Sequence, residues 1–245
     1  MQVIKPMDKA KILEINNISV ILDNHYILSD LSLNIYKKEI IGIIGASGSG
    51  KSVLLRTILG LEKHNKGNIK FHIDKNIYSQ IGVLFQQGAL FSSLSVLENV
   101  KVPMLEQLNL PLNIIDELAK LKLALVGLDN DAYNKLPSEI SGGMIKRVAL
   151  ARALALDPKI IFLDEPTSGL DPISASQFNI LIKNLKETMG ITFFMITHDV
   201  NSLRSICDRV AVLHKGKIEK TADLETLMQS DSPWIKSYFQ SGITS

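Results

Sequence analysis

Eight consecutive residues, "GASGSGKS" at 45–52, carry the densest chemistry in the chain. Gly45, Gly48 and Gly50 allow a tight turn in which the backbone N–H groups of this loop, with Ala46, Ser47 and Ser49 between the glycines, point inward. Together with the positive end of a following helix, those donors form an anion nest. Lys51 adds a mobile point charge that reaches β and γ phosphates, and Ser52 offers a hydroxyl to Mg²⁺. The run matches G-x-x-x-x-G-K-S/T in full, between an apolar strand and an amphipathic helix, which is the context a nucleotide-binding loop requires.

Other groups complete a hydrolytic constellation. The apolar strand "KIIFLDE" ends in Asp164 and Glu165. Asp164 is expected to hold Mg²⁺, directly or through water, and Glu165 to orient or deprotonate an attacking water. Successive strand residues face opposite sides, which gives the two carboxylates different tasks. Ser141 is expected to cap a helix whose first residues, Gly142 and Gly143, leave N–H donors free. That is a second phosphate-binding helix end, and one γ-phosphate does not easily use two such ends of one subunit. A dimer, with each nucleotide between one chain's glycine loop and the other's Ser-Gly-Gly, is the economical reading. Gln86, at the end of "IGVLFQ", is expected to sense Mg²⁺ or water, and His198, at the end of "FFMITHD", to bond a γ-phosphate and hold the catalytic carboxylate.

The elements that must position these groups read as strands alternating with helices. Apolar runs at 40–45, 81–86, 159–165 and 191–199 suit a sheet covered on both faces, and 11–22 is a further strand. Helical patterns stop at Gly60, near Asn130, before Pro158 and at Gly190. The alternation predicts an α/β fold with a largely parallel sheet. Residues 87–157 hold no convincing strand and read as an inserted α-helical subdomain; 1–86 and 158–229 form the α/β core, with a hairpin turning at Lys215 and Gly216, and 230–245 form a tail. At 245 residues with 46% hydrophobic content the chain supports one large core, and a net charge of +2 gives no electrostatic case for nucleic acid. The single cysteine, Cys207, excludes an internal disulfide and reads as a small buried apolar residue. Neither a signal peptide nor a membrane-spanning run is evident, so a membrane role is expected to be peripheral.

Taken together, the motifs resemble the ATPase subunit of ATP-binding cassette transporters, from about Ile12 to Leu227. The resemblance implies a P-loop NTPase cassette with a RecA-like, mostly parallel sheet and an N-terminal antiparallel β region, acting on ATP and Mg²⁺ as a head-to-tail homodimer under permease subunits. "GASGSGKS" is similar to the Walker A loop, Gln86 to the Q-loop residue, "ISGGM" to the signature, "IIFLDE" to the Walker B strand and "SGLD" with Asp171 to the D-loop, which adjoins the nucleotide; His198 resembles the switch histidine. Two positions depart from the pattern: Met144 replaces the signature's usual glutamine, and Leu22 stands where an aromatic often stacks on adenine, with His25 and Tyr26 nearby.

The segment "FQQGALFSSLSVLENVKVP" at 85–103 and "SGGM" are similar to the ATPases of Mla and Mce-type lipid-transport systems. That likeness implies a phospholipid system at the inner membrane, with the ATPase on its cytoplasmic face, a permease, a periplasmic Mce-type lipid-binding subunit and a small STAS-domain protein. Gly88 and Ala89 lower side-chain bulk, and Leu90 and Phe91 are expected either to line the permease groove or to pack within the helical insert. Trp234, Tyr238 and Phe239 are expected to dock the tail on a second ATPase subunit or a STAS-like partner, or back on their own domain. The same motor on a small-solute importer, such as one for amino acids, is the alternative. A cassette acting on DNA or ribosomes is disfavoured by the lack of a second cassette or coiled-coil insertion, and a regulator without turnover by the presence of both Glu165 and His198.

Overall fold

The apolar runs all become strands. A computed structural model describes residues 10–73 and 77–242, the side chains of 241 and 242 excepted. The outermost parts of the expected core and tail, 1–9 and 243–245, lie outside the described residues, as do 74–76. The chain opens with β1 (Lys11–Leu22), β2 (His25–Tyr36), β3 (Ile40–Ile44), α1 (Lys51–Ile58), β4 (Lys66–Phe71) and β5 (Ile81–Leu84). Three helices follow: α2 (Val96–Gln107), α3 (Leu112–Leu125) and α4 (Gly142–Ala153). Then come β6 (Ile160–Asp164), α5 (Pro172–Met189), β7 (Thr192–Ile196), α6 (Val200–Ile206), β8 (Arg209–His214), β9 (Lys217–Ala222), α7 (Leu224–Met228) and α8 (Pro233–Gly242).

Six strands form the main sheet in the order β5-β6-β7-β3-β8-β9. All neighbours are parallel except β9, which returns antiparallel from the turn at Lys215 and Gly216. The central strands β3 and β7 are buried at every position, as a sheet covered on both faces demands. A separate antiparallel sheet, β2-β1-β4, lies against one face. Two of its strands were not anticipated. In β2, Leu31, Leu33 and Ile35 alternate with exposed or half-buried polar residues, a half-buried strand pattern. Edge strand β4 is largely polar and carries no such pattern.

Among the described residues, 87–157 form helices and short 3₁₀ turns without a strand. Their apolar side chains do not make a separate core. Val96, Met104, Leu123 and Val148 join one cluster with Leu163, Phe178 and Phe193 from the α/β part. A second cluster lies between the antiparallel sheet, α1 and the main sheet, around Leu13, Leu28, Leu54, Phe162 and Phe194. A third puts Ile235 and Phe239 of α8 against Val210, Val212 and Leu203. The tail aromatics therefore pack back on their own domain. Trp234 lies 4.5 Å from the His214 ring and 5.3 Å from Tyr238, while Phe239 is 3% exposed. The physical reason is that β8 presents an apolar face that α7 alone does not cover, and α8 completes it. Cys207 packs under β3, its sulfur beside Gly42, and burial pushes its thiol pKa up.

Candidate functional site

The glycine loop leaves β3 after Ile44 and enters α1 at Lys51. Its two ends require glycine for different reasons. A Cβ at Gly45 would lie 2.3 Å from the Leu213 carbonyl, so only a bare backbone passes β8 here. Gly50 takes φ 101° as the N-cap of α1, a conformation that turns the free helix N–H groups toward the loop. The Lys51 ammonium curls back onto the carbonyls of Gly45 at 2.7 Å and Ala46 at 3.0 Å. Burial lowers its pKa, opposed by the charges of Glu165 and Asp164.

A cavity of about 440 Å³ opens over this loop, lined by Ser47, Gly48, Ser49, Gly50, Lys51 and Ser52 on one side and Gln86, Asp164, Glu165 and His198 on the other. The expected phosphate, magnesium and catalytic groups thus meet in one place. A larger cavity, of about 570 Å³, lies at the opposite ends of the strands near Lys38, Lys159 and Thr192 and gathers none of them. Ser141, Gly142, Gly143 and Asp171 do not line the loop cavity. Ser141 caps α4, accepting from the Met144 amide at 3.3 Å, and a Cβ added to Gly142 would meet nothing. The helix end is open, as a contact in trans requires. Asp171 caps α5 by accepting from Ile173 and Ser174 amides, both at 3.0 Å, and those bonds hold its carboxyl below the usual range.

The chemistry sits beyond the strand ends rather than on them. β5 ends at Leu84, β6 at Asp164 and β7 at Ile196, so Gln86, Glu165 and His198 lie past the ladders. Strand alternation accordingly does not separate the two carboxylates. Asp164 is still in register with Ile196, whereas Glu165 turns to φ 47° and its amide donates to the Ile196 carbonyl. A left-handed non-glycine residue stores local strain of the order of 1–2 kcal/mol, here at the group expected to address water. Glu165 Oε1 lies 2.9 Å from His198 Nδ1. Asp164 has its pKa raised, first by burial and then by the Glu165 charge, with Lys146 and Lys51 opposing.

Three contributors escaped the sequence reading. Lys146 of α4 is 5% exposed; its ammonium bonds the Gln86 carbonyl and also reaches the Glu165 carbonyl at 3.3 Å. It ties the β5 end to the β6 end, and burial lowers its pKa. Tyr238 of α8 accepts a hydrogen bond from the Gly45 backbone, linking the tail to the loop. Ile27 lines the loop cavity, whereas Leu22 packs on the second core cluster, so the apolar wall near the expected base position comes from β2. Tyr26 is exposed and does not line it. Lys146 left a trace in the sequence, as a cation amid an otherwise apolar helix face, and Tyr238 was visible only as part of the tail's aromatic spacing.

The stretch after Gln86 has its own organiser. Asn99, fully buried, accepts from the Phe91 amide at 2.8 Å and donates to the carbonyls of Phe91, Leu94 and Ser95. Gly88 and Ala89 are left-handed at φ 75° and 48°, and Arg152 donates to both their carbonyls. They serve this turn, and the low bulk of Gly88 also lets it pass α4, where a Cβ would lie 3.0 Å from Ile145. Leu90 points into the large cluster, and Phe91, half exposed, lies beside the Arg152 guanidinium at 5.8 Å. Phe91, Phe85, Tyr78, Val83 and Pro103 line a groove of about 370 Å³ in which Leu90 has no part.

The residues present fit Mg²⁺. This ion takes one or two protein oxygens plus substrate phosphates, and Ser52 and Asp164 supply those oxygens in the cavity that Gln86 also lines.

A family model described as "ABC transporter" matches residues 28–168. The chain is 40% identical to the methionine import ATP-binding protein MetN of Clostridium acetobutylicum, over 91% of this chain and 72% of that one. It is 38% identical to the intermembrane phospholipid transport system ATP-binding protein MlaF of Haemophilus influenzae, over 89% of this chain and 86% of that one. Among solved structures, the ATP-binding cassette MJ0796, a post-hydrolysis dimer bound to ADP and Pi, superposes with a TM-score of 0.77 at 32% identity, covering 86% of this chain and 98% of that one. CbiO1 from Clostridium perfringens, part of the ABC transporter complex cbiONQ, superposes at 0.81 with 28% identity, covering 96% and 99%.

Proposed function

This chain belongs to the ABC transporter family as an ATP-hydrolysing subunit, and from that premise we propose that it powers a phospholipid transport system of the Mla/Mce type. Cassettes of this family bind ATP with Mg²⁺, hydrolyse it and work as dimers with membrane permease subunits. Within the site, Lys51 and the backbone of residues 47–50 hold phosphates, whereas Gly45 and Ala46 do not line the cavity; Ser52 and Asp164 would hold Mg²⁺, whose presence Gln86 would report. Glu165 takes a proton from the attacking water while His198 fixes that carboxylate and reaches the γ-phosphate. In trans, Ser141, Gly142, Gly143 and Asp171 of a second copy close over the nucleotide. Catalysis of this kind is positioning and charge stabilisation, and the loop, the carboxylates and the lysines supply both.

The observation that supports the lipid reading is the groove beside Phe91. It lies on the segment 85–103, whose sequence resembles the lipid-transport ATPases, and it opens where a permease helix would meet the Gln86 end of β5. The α3 face carrying Ile114, Leu121 and Leu125, exposed at 42%, 54% and 39%, supports a further protein partner of the STAS type. No described helix is long and apolar enough to cross a membrane; we place the subunit on the cytoplasmic face of the inner membrane, below a permease and a periplasmic Mce-type subunit. The 40% identity to a methionine importer's cassette favours the second reading, an amino-acid system. Purifying the chain from its native membrane with its partners and identifying the bound cargo decides between them. Co-purified phospholipid and an Mce-type subunit support the first reading; a methionine-stimulated ATPase complex sinks it.

A further inference from the structure

The glycine loop is held at its ends rather than along its length. A Cβ added at Gly48 would meet nothing, so packing does not fix the middle of the turn. At the α1 end, Gly50 passes the Leu28 side chain and the Ile27 carbonyl, where a Cβ would lie 3.0 and 3.2 Å away. At the β3 end, Gly45 has no side chain to pack, and bonds to its backbone must place it. The strand stops at Ile44. Beyond it the Gly45 carbonyl accepts from the Lys51 ammonium at 2.7 Å, and the Gly45 amide donates to the Tyr238 hydroxyl. The residue on which Lys51 rests is thus itself held by the tail helix. That helix is anchored in its turn. The Ser232 hydroxyl donates to the Glu219 carboxylate of β9 and accepts from the Ile235 amide at 3.4 Å. Ile235 and Phe239 share a core cluster with Val210 and Val212 of β8. The Trp234 ring lies 4.5 Å from His214 and 5.3 Å from Tyr238, so the tyrosine ring is stacked in place. Burial raises the Tyr238 pKa and the Glu165 charge adds to it, so the hydroxyl keeps its proton and brings no negative charge toward a phosphate site.

We propose that Tyr238 is a positioning residue for nucleotide binding: its hydroxyl holds the Gly45 backbone, and with it the resting place of Lys51, so that phosphates meet a loop already formed. Neither Tyr238 nor Gly45 lines the loop cavity, so the hydroxyl acts through the loop and not on the ligand. A loop shaped in advance loses less freedom when an anion enters it, and that saving appears as affinity. The same loop holds the phosphates of ATP and of ADP, so the gain is shared by both nucleotides. This brace rests on the proposed role of Lys51 and the 47–50 backbone as phosphate holders.

The experiment titrates the full chain with MgATP and with MgADP, and records the nucleotide-free Tm and the emission of Trp234, the single tryptophan. Tyr238→Phe keeps the stacked ring and removes the acceptor. Ile235→Val, one turn earlier in the same helix, removes a buried methylene and keeps the hydroxyl. Each should lower Tm by about 2–4 °C, the first by leaving an amide unpaired and the second by loosening the cluster. We expect Tyr238→Phe alone to raise both Kd values about fivefold, the size of one neutral hydrogen bond, with the Trp234 emission maximum unchanged. Kd values for Tyr238→Phe within about twofold of the parent overturn the brace. So does an equal rise in Ile235→Val, which marks a general loosening of the tail, or a red-shifted Trp234 emission in Tyr238→Phe, which marks an undocked helix. Lys51→Ala is measured alongside. If it binds MgATP as the parent does, the phosphate role of Lys51 falls, and Tyr238→Phe still decides the brace; if it binds weakly and Tyr238→Phe binds as the parent does, only the brace falls.

Discussion

His198 Nδ1 lies 2.9 Å from Glu165 Oε1, and the two side chains differ sharply in exposure, 72% against 14%. An accessible imidazole thus holds a sheltered carboxylate, leaving Nε2 free to address a ligand in the loop cavity. Because the pair acts as a unit, removing either member removes much of the same function. Glu165→Gln should lower kcat by about 10²–10⁴ with nucleotide binding intact, as loss of a general base does. His198→Ala should lower it by about 10²–10³, the cost of one aimed donor. Adding His198→Ala to Glu165→Gln should cost little more. Single-turnover kinetics on the three variants checks this, and multiplicative losses would show that the two residues act independently.

Asp164, the proposed Mg²⁺ ligand, is a half-buried carboxylate whose charge the fold disfavours. Burial raises its pKa, so the folded state holds the proton to a higher pH than the unfolded state. As pH rises through that raised value the folded chain must ionise a disfavoured group, and the ionised group then subtracts from stability at all higher pH. Asp164→Asn should therefore raise the neutral-pH Tm of the nucleotide-free chain by about 2 °C while abolishing Mg²⁺-dependent hydrolysis. For the parent, apparent Mg²⁺ affinity should fall as pH is lowered, because proton and metal compete for the carboxylate, and the raised pKa moves that fall to higher pH than for an ordinary aspartate. Thermal melts and Mg²⁺ titrations at several pH values test both signs. A lower Tm for Asp164→Asn would contradict the argument.

The loop was legible because its chemistry is local: 45–52 holds its turn, its donors and its charge within eight residues. The parallel strands were legible from unbroken apolar runs, although their ends were read too long, since Gln86, Glu165 and His198 continue the residue pattern after the ladder has stopped. Strand β4 left no trace because an edge strand need not bury a face. Asn99 and Tyr238 escaped for another reason. An asparagine in a helix and a tyrosine in a tail have no local signature, and their roles arise from carbonyls and an amide that only the fold brings near. The tail's own aromatic spacing was visible, but its destination depended on how much of β8 the earlier elements left uncovered.

Lys146 joins two strand ends through their carbonyls, and its ammonium is nearly buried. Burying that cation is itself costly, as its lowered pKa records. Lys146→Met, close in volume and uncharged, should therefore change stability by less than about 1.5 kcal/mol. Hydrolysis should fall much further, because the carbonyls of Gln86 and Glu165 lose their shared donor and the two side chains lose their common reference. Denaturant unfolding and steady-state ATPase assays on one preparation separate the effects. A loss of activity matched by an equal loss of folded protein would reduce Lys146 to a structural residue.

Leu90 and Phe91 are neighbours in sequence with opposite placements, and substitution at each should report a different property. Leu90 is partly buried against the large cluster, so Leu90→Asp puts an unpaired charge on an apolar contact and should destabilise the isolated chain by about 2 kcal/mol. Phe91 is 50% exposed at the mouth of the groove, held by backbone bonds from Asn99 that its side chain does not supply. Phe91→Asp should therefore leave the Tm and the ATPase activity of the isolated chain within about 0.5 kcal/mol and twofold of the parent. It should nonetheless weaken assembly with the permease, because a charge replaces apolar area at the contact. Co-purification of the complex, with ATPase measured before and after assembly, gives the comparison. Equal losses in the isolated chain and in the complex would remove Phe91 from the docking surface, whereas a loss confined to the complex identifies the groove as the place where hydrolysis is passed to the membrane.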